Sequence, residues 1–112
     1  MPHVQSERRR APRASVDLPL QLSTKADASP ARLRNISQSG LCCVSDQAVE
    51  EMTLMGVQLD LPGHGPVEVQ GAVVRCDKDR EGEAPGYEIA IYFTEMSAQA
   101  RIAIQNFVVS VL

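Results

Sequence analysis

Val16, Leu18, Leu20 and Leu22 alternate with Asp17, Pro19, Gln21 and Ser23. A period of two puts every other side chain on the same side of an extended chain, so this stretch reads as a strand with one buried face. The alternation returns at Met55, Val57, Leu59 and Leu61, at Val67, Val69 and Val73, and at Tyr87, Ile89, Ile91 and Phe93. Turn material separates these runs: residues 24–30, then Pro62-Gly63-His64-Gly65-Pro66, then the charged stretch 77–86. Two shorter strands fit between the first two blocks, over 31–37 and, after Gly40, over 41–45. The predicted strands are therefore 16–23, 31–37, 41–45, 52–61, 67–76 and 87–93. None is followed by a long helix before the end of the chain, which argues against parallel crossovers. Short strands with regular turns suggest a small antiparallel barrel or sandwich. Pro19 cannot donate to a ladder, so the first strand lies near an edge or Pro19 sits at a bulge.

The end of the chain changes character. Ser97 fits a helix N-cap, and Ala98 to Leu112 carries Ile102, Ile104, Phe107, Val108, Val109, Val111 and Leu112. A helix apolar on most of its circumference is buried on more than one side. It is expected to cover the sheet and leaves room for a homodimer through its other face.

Composition excludes several classes. At 112 residues the chain is one domain. No apolar run approaches the roughly 18 residues of a membrane helix, and no apolar stretch follows the basic start, so neither membrane insertion nor a signal peptide is expected. The expected location is cytoplasmic. Cys42, Cys43 and Cys76 show no metal-ligand spacing; buried thiols are the expectation. His3 and His64, the only histidines, pair with no nucleophile in the sequence, and no phosphate-cradling glycine loop is present. An enzyme, a metal site and a bound cofactor are therefore not expected. The net charge of −3 is uneven: residues 1–13 carry four arginines against one glutamate, which leaves −6 on the rest. An acidic body argues against nucleic-acid binding, whereas one basic arm suits a small anion.

That arm contains Glu7-Arg8-Arg9-Arg10-Ala11-Pro12-Arg13. Pro12 biases Ala11 toward extended geometry. Residues 1–15 read as a flexible arm and 16–112 as the folded domain. The second notable stretch is Asn35-Ile36-Ser37-Gln38-Ser39-Gly40. In an antiparallel hairpin the start of one strand lies beside the end of the next. A turn centred near Asp27 puts Asp17 opposite Ser37 and Pro19 opposite Asn35, so both stretches reach one edge. If Ile36 points inward, parity also turns Arg34 inward, a costly place for an unpaired charge; a bulge in the second strand is the expected escape. Arginine forks grip phosphate and the Hoogsteen edge of guanine in pairs of bonds. Asn35 and Ser37 both donate and accept, and Gly40 allows close backbone approach or positive φ.

Arg9-x-x-x-Arg13 followed by Asn35-x-Ser37-x-x-Gly40 resembles the two-part signature of PilZ domains, bacterial receptors for cyclic di-GMP. The resemblance runs from Glu7 to the end of the chain. It implies a six-stranded antiparallel β-barrel with a C-terminal α-helix. It also implies that Arg9 and Arg13 clamp guanines and phosphates, that Asn35 and Ser37 contact a guanine, and that Gly40 shapes the turn. Arg8 would help to hold a second, intercalated ligand molecule. Arg10 reads as solvated; Arg75 could extend the positive rim, but a solvated strand end is the expectation. Ala90 stands where many members have glycine. The implied function is a receptor and adaptor that binds cyclic di-GMP, changes conformation and regulates a protein effector. The alternative is a ligand-independent interaction module in pilus or motility control. Charge-assisted hydrogen bonds contribute roughly 1.5–3 kcal/mol each, against about 8 kcal/mol for micromolar binding. Ordering the arm opposes this at roughly 1–2 kcal/mol per residue, so an arm mobile when free and wrapped when bound is expected.

Overall fold

The computed structural model describes residues 12–79 and 86–112. The strands are β1 (Ala14–Ser23), β2 (Ala28–Ile36), β3 (Gly40–Ser45), β4 (Leu54–Leu61), β5 (Gly65–Lys78) and β6 (Tyr87–Met96), followed by helix α1 (Ala98–Val111). They close into a barrel in the order β1-β2-β3-β6-β5-β4, every neighbouring pair antiparallel. The choice between barrel and sandwich is thus settled as a barrel, with no open sheet edge in the cycle.

The alternating residues fill the inside. Leu20, Leu22, Met55, Val57, Leu59, Leu61, Val67, Val69, Val73, Ile89, Ile91 and Phe93 are all buried in one core. With few aromatics, the core relies on branched aliphatic side chains, each contributing about 1.5–3 kcal/mol when fully buried. Pro19 lies one residue beyond the last β1–β4 pair, Leu20 with Leu59, so its missing N–H breaks no ladder bond on that side.

Several strands run longer than the turn signals suggest. Ala28, Ser29 and Pro30 belong to β2, and the first turn tightens to Thr24–Asp27, where the Thr24 amide donates to the Asp27 carbonyl at 2.8 Å. The hairpin therefore centres between Lys25 and Ala26, not near Asp27. Ser15, not Pro19, faces Asn35, and Ala14 faces Ile36. Similarly, the β4–β5 turn shrinks to Pro62–His64, with Gly63 and Gly65 at φ of 82° and 90°, backbone that glycine adopts without steric cost.

Helix α1 starts as expected: the Ser97 hydroxyl accepts from the Ala100 amide at 3.0 Å. Ala100, Ile104, Phe107 and Val108 form its buried stripe. The helix packs on β5, β1 and β4, at the barrel end that also carries the start of β1 and the turns after β2 and β4. Phe107 meets the His64 ring edge-on at 5.9 Å. Ile102, Val109, Val111 and Leu112 face outward. Among the described residues no helix is long and apolar enough to cross a membrane.

Candidate functional site

The site begins with a defect in β2. Leu33 and Ile36 are both buried in the core, yet they are three apart, and strict alternation would put them on opposite faces. One extra residue resolves the conflict. Between Leu33 and Asn35, β2 advances two residues while β3 advances one, so Arg34 bulges. The expected bulge in the second strand is present. Arg34 turns to the outer surface, where its guanidinium meets both oxygens of Asp79 at 3.1 and 3.0 Å and Glu88 Oε2 at 3.1 Å. Burial alone would lower its pKa, but hydrogen bonds and charge from Glu88 and Asp79 raise it.

Next comes the turn from Ser37 to Gly40. The Ser37 amide donates to the Gly40 carbonyl at 2.8 Å. Its hydroxyl accepts from the Ser39 amide at 3.2 Å and donates to the Gly40 carbonyl at 3.3 Å. The Ser39 carbonyl accepts from the Phe93 amide at 2.9 Å, which ties the turn to β6. Gly40 has ordinary φ; its requirement is space. A Cβ there would lie 2.4 Å from the Ile91 carbonyl oxygen, far inside contact distance. Glycine is needed because β3 passes close over β6 backbone.

Arg13 then joins the two halves of the motif. Its Nε donates to Asn35 Oδ1 at 2.7 Å, and Nη1 to Ser37 Oγ at 3.4 Å. The shortened first turn, together with a one-residue shift in β1 between Ser15 and Leu18, explains why. Since Ala14 pairs with Ile36, Arg13 is level with Ser37, nearer than the expected register allowed. Ser37 is 0% exposed, so its hydroxyl holds the turn and receives Arg13 from beneath, while Asn35 stays partly open. Arg8 and Arg9, as well as Arg10, lie outside the described residues.

Registers also define what lies beside Asn35. One row crosses the outer surface from Ser15 through Asn35, Cys42 and Ala90 to Arg75. Cys43 faces the core at 0% exposure, and its neighbour Cys42 faces out, yet Cys42 is only 7% exposed. Arg75 covers it in part, with Nη2 3.9 Å from the thiol sulfur. Burial pushes the Cys42 thiol up and Glu88 adds to this, while Arg75, Arg13 and Arg34 pull it down. The charges of three guanidiniums and one carboxylate thus bear on this thiol, with Arg75 the one in contact. Glu88 reaches Arg34 with one oxygen and Arg75 with the other, the latter at 3.9 Å; Arg75 Nε also meets Asp77 at 3.2 Å.

The sequence reading flagged Arg34 only as a parity problem and took Arg75 for a solvated strand end. Arg75 is 53% exposed, as that reading expects, and its guanidinium also reaches toward Cys42, with Ala90 between them in the same row. Strand spacing alone does not reveal this, since it needs the β3–β6–β5 order. Among the described residues no group of three or more His, Cys, Asp or Glu side chains could hold a metal ion.

The family model for the PilZ domain matches residues 7–110. Solved structures with the same fold include the PilZ domain of YcgR from Escherichia coli with c-di-GMP, 16% identical with a TM-score of 0.76, covering 93% of this chain and 91% of that one. The Bacillus subtilis inhibitor of motility MotI/DgrA is 19% identical with a TM-score of 0.79, covering 92% of this chain and 50% of that one. The MrkH–c-di-GMP complex of K. pneumonia is 13% identical with a TM-score of 0.74, covering 91% and 51%. The chain thus spans about half the length of these last two. No curated protein matches it.

Proposed function

Because the chain belongs to the PilZ domain family, we propose that the barrel rim around Arg13, Asn35 and the Ser37–Gly40 turn binds cyclic di-GMP, and that the domain acts as an adaptor whose surface changes on binding. The observation that carries this reading is the 2.7 Å bond from Arg13 to Asn35. It supports the reading because a cationic fork and an amide are held together by neutral partners, so the charge is left for an anion. A guanidinium has five N–H donors, and these contacts use two. Asn35 would read a guanine edge and Ser37 would hold Arg13 in place. Gly40 would keep the turn tight against β6.

Arg8 and Arg9 enter through chain length. Arg9 is four residues before Arg13, so it lies within about 14 Å of that anchor at full extension. Such an arm can close over a ligand seated on the rim, with Arg9 and Arg13 as the clamp and Arg8 available to a second ligand molecule. Arm closure would be the conformational change that a protein effector senses, and the outward residues of α1 offer a homodimer contact.

Isothermal titration with cyclic di-GMP tests the binding, and trypsin digestion tests the arm. Saturable binding at micromolar or lower Kd is expected, with cleavage after Arg8, Arg9 and Arg10 slowed by ligand. Absence of binding at high micromolar ligand overturns the receptor reading and leaves the ligand-independent interaction module. Binding without protection of the arm overturns closure alone.

A further inference from the structure

The row Asn35–Cys42–Ala90–Arg75 runs across four strands, β2, β3, β6 and β5. At about 4.8 Å per strand step it spans roughly 14 Å. Its middle is low, because Cys42 and Ala90 are small. One end carries Asn35 with Arg13 bonded to it, and the other carries Arg75. To bring Nη2 within 3.9 Å of Cys42, the Arg75 side chain passes across β6 at Ala90. It stays 53% exposed while doing so. Its ion pairs leave it room to move: Asp77 is 63% exposed and Glu88 stands at 3.9 Å, and such surface pairs contribute about 0–1 kcal/mol. No described aromatic residue lies in this row. A guanidinium plane is the flat group that does, and guanidinium planes stack on purine bases as aromatic rings do.

We infer that Arg75 is the far wall of the site and a specificity-determining residue: a flat cationic plate over Ala90 and Cys42 against which one purine of a cyclic dinucleotide packs while Arg13 and Asn35 engage the rest. This rests on the cyclic di-GMP reading and assigns it a residue outside both halves of the motif. Planarity is required in addition to charge, and Ala90 must stay small for the plate to lie flat.

Three variants test it by titration with cyclic di-GMP, beside the wild-type protein. Arg75→Ala weakens binding by about tenfold, the scale of one lost base stack. Arg75→Lys keeps the charge, loses the plane and weakens binding nearly as much. Ala90→Leu keeps Arg75 but fills the floor, with a similar loss. All three keep the wild-type melting temperature within about 3 °C, because the changes lie on the outer surface. Wild-type affinity in any of the three overturns the inference and leaves the receptor reading standing. A wild-type protein that does not bind takes down both.

Discussion

Two arginines stand beside Asn35, and their partners differ in kind. Arg13, at the start of β1, is held by an amide and a hydroxyl. Arg34, in the β2 bulge, is held by two carboxylates, Asp79 and Glu88. Neutral partners orient a guanidinium without cancelling its charge, whereas carboxylates orient and cancel at once. The Arg13 side of Asn35 therefore keeps its positive charge, which is what the proposed ligand site needs. The Arg34 side is built to tie β2 to the β5–β6 hairpin across β3. Counting arginines near a rim does not measure its positive field; identifying what each one touches does.

The sharpest way to break this comparison is to remove each arginine in turn. Arg13→Ala should lower cyclic di-GMP affinity about a hundredfold, equivalent to about 2.7 kcal/mol, with little change in urea stability. Arg34→Ala should do the reverse. It strips the bonds Arg34 gives to the Asp79 carboxylate, which is 5% exposed. That should cost about 2 kcal/mol of stability, with ligand affinity held within about threefold. Titration and urea melts on both variants separate the roles; equal losses of affinity would erase the distinction.

Much of this was legible in the chain before folding was considered. The alternating blocks located four of the six strands because one buried face leaves a period-two trace, and the other two filled the gap between the first two blocks. The Ser97 cap marked the helix start for a similarly local reason. The bulge at Arg34 also followed from the conflict between Ile36 and parity. The hairpin register did not follow, because Ala28-Ser29-Pro30 look like turn residues and yet pair with β1. That three-residue difference, with the one-residue shift in β1 between Ser15 and Leu18, is what brings Arg13 level with Ser37. Arg75, Glu88 and Asp79 were illegible for a different reason: their partners lie on strands distant in sequence, and only the closed β3–β6–β5 order makes them neighbours.

A smaller effect tests whether the neutral hold on Arg13 depends on the turn beneath it. Ser37→Ala removes the acceptor of Arg13 Nη1 and the Ser39 amide, and the donor to the Gly40 carbonyl. At a buried position that should cost about 1 kcal/mol. Ligand affinity should drop only severalfold, since Asn35 still receives Nε at 2.7 Å. Thermal melts and titration check both halves. A loss of affinity as large as that of Arg13→Ala would mean that Ser37, not Asn35, is the main support of Arg13.

The smallest effect comes from the adjacent cysteines, which carry the inside–outside contrast in two consecutive residues. Burial pushes the Cys43 thiol up to about 12, with Cys42, Cys76 and Glu88 adding to it. Its pKa is thus raised on folding above the ordinary 9.0, so the unfolded chain loses this proton first. The contribution to stability is complete below the ordinary value and is lost as pH rises from about 9 toward 12. At pH 9.5 the loss from this one group should be just under about 1 kcal/mol. Urea midpoints at pH 7.5 and 9.5, with reductant present, should show Cys43→Ala with a flatter alkaline response than the wild type. Cys42→Ala should flatten it less, because Arg75, Arg13 and Arg34 offset burial at that thiol. Equal flattening would mean that the guanidiniums do not bear on the Cys42 thiol.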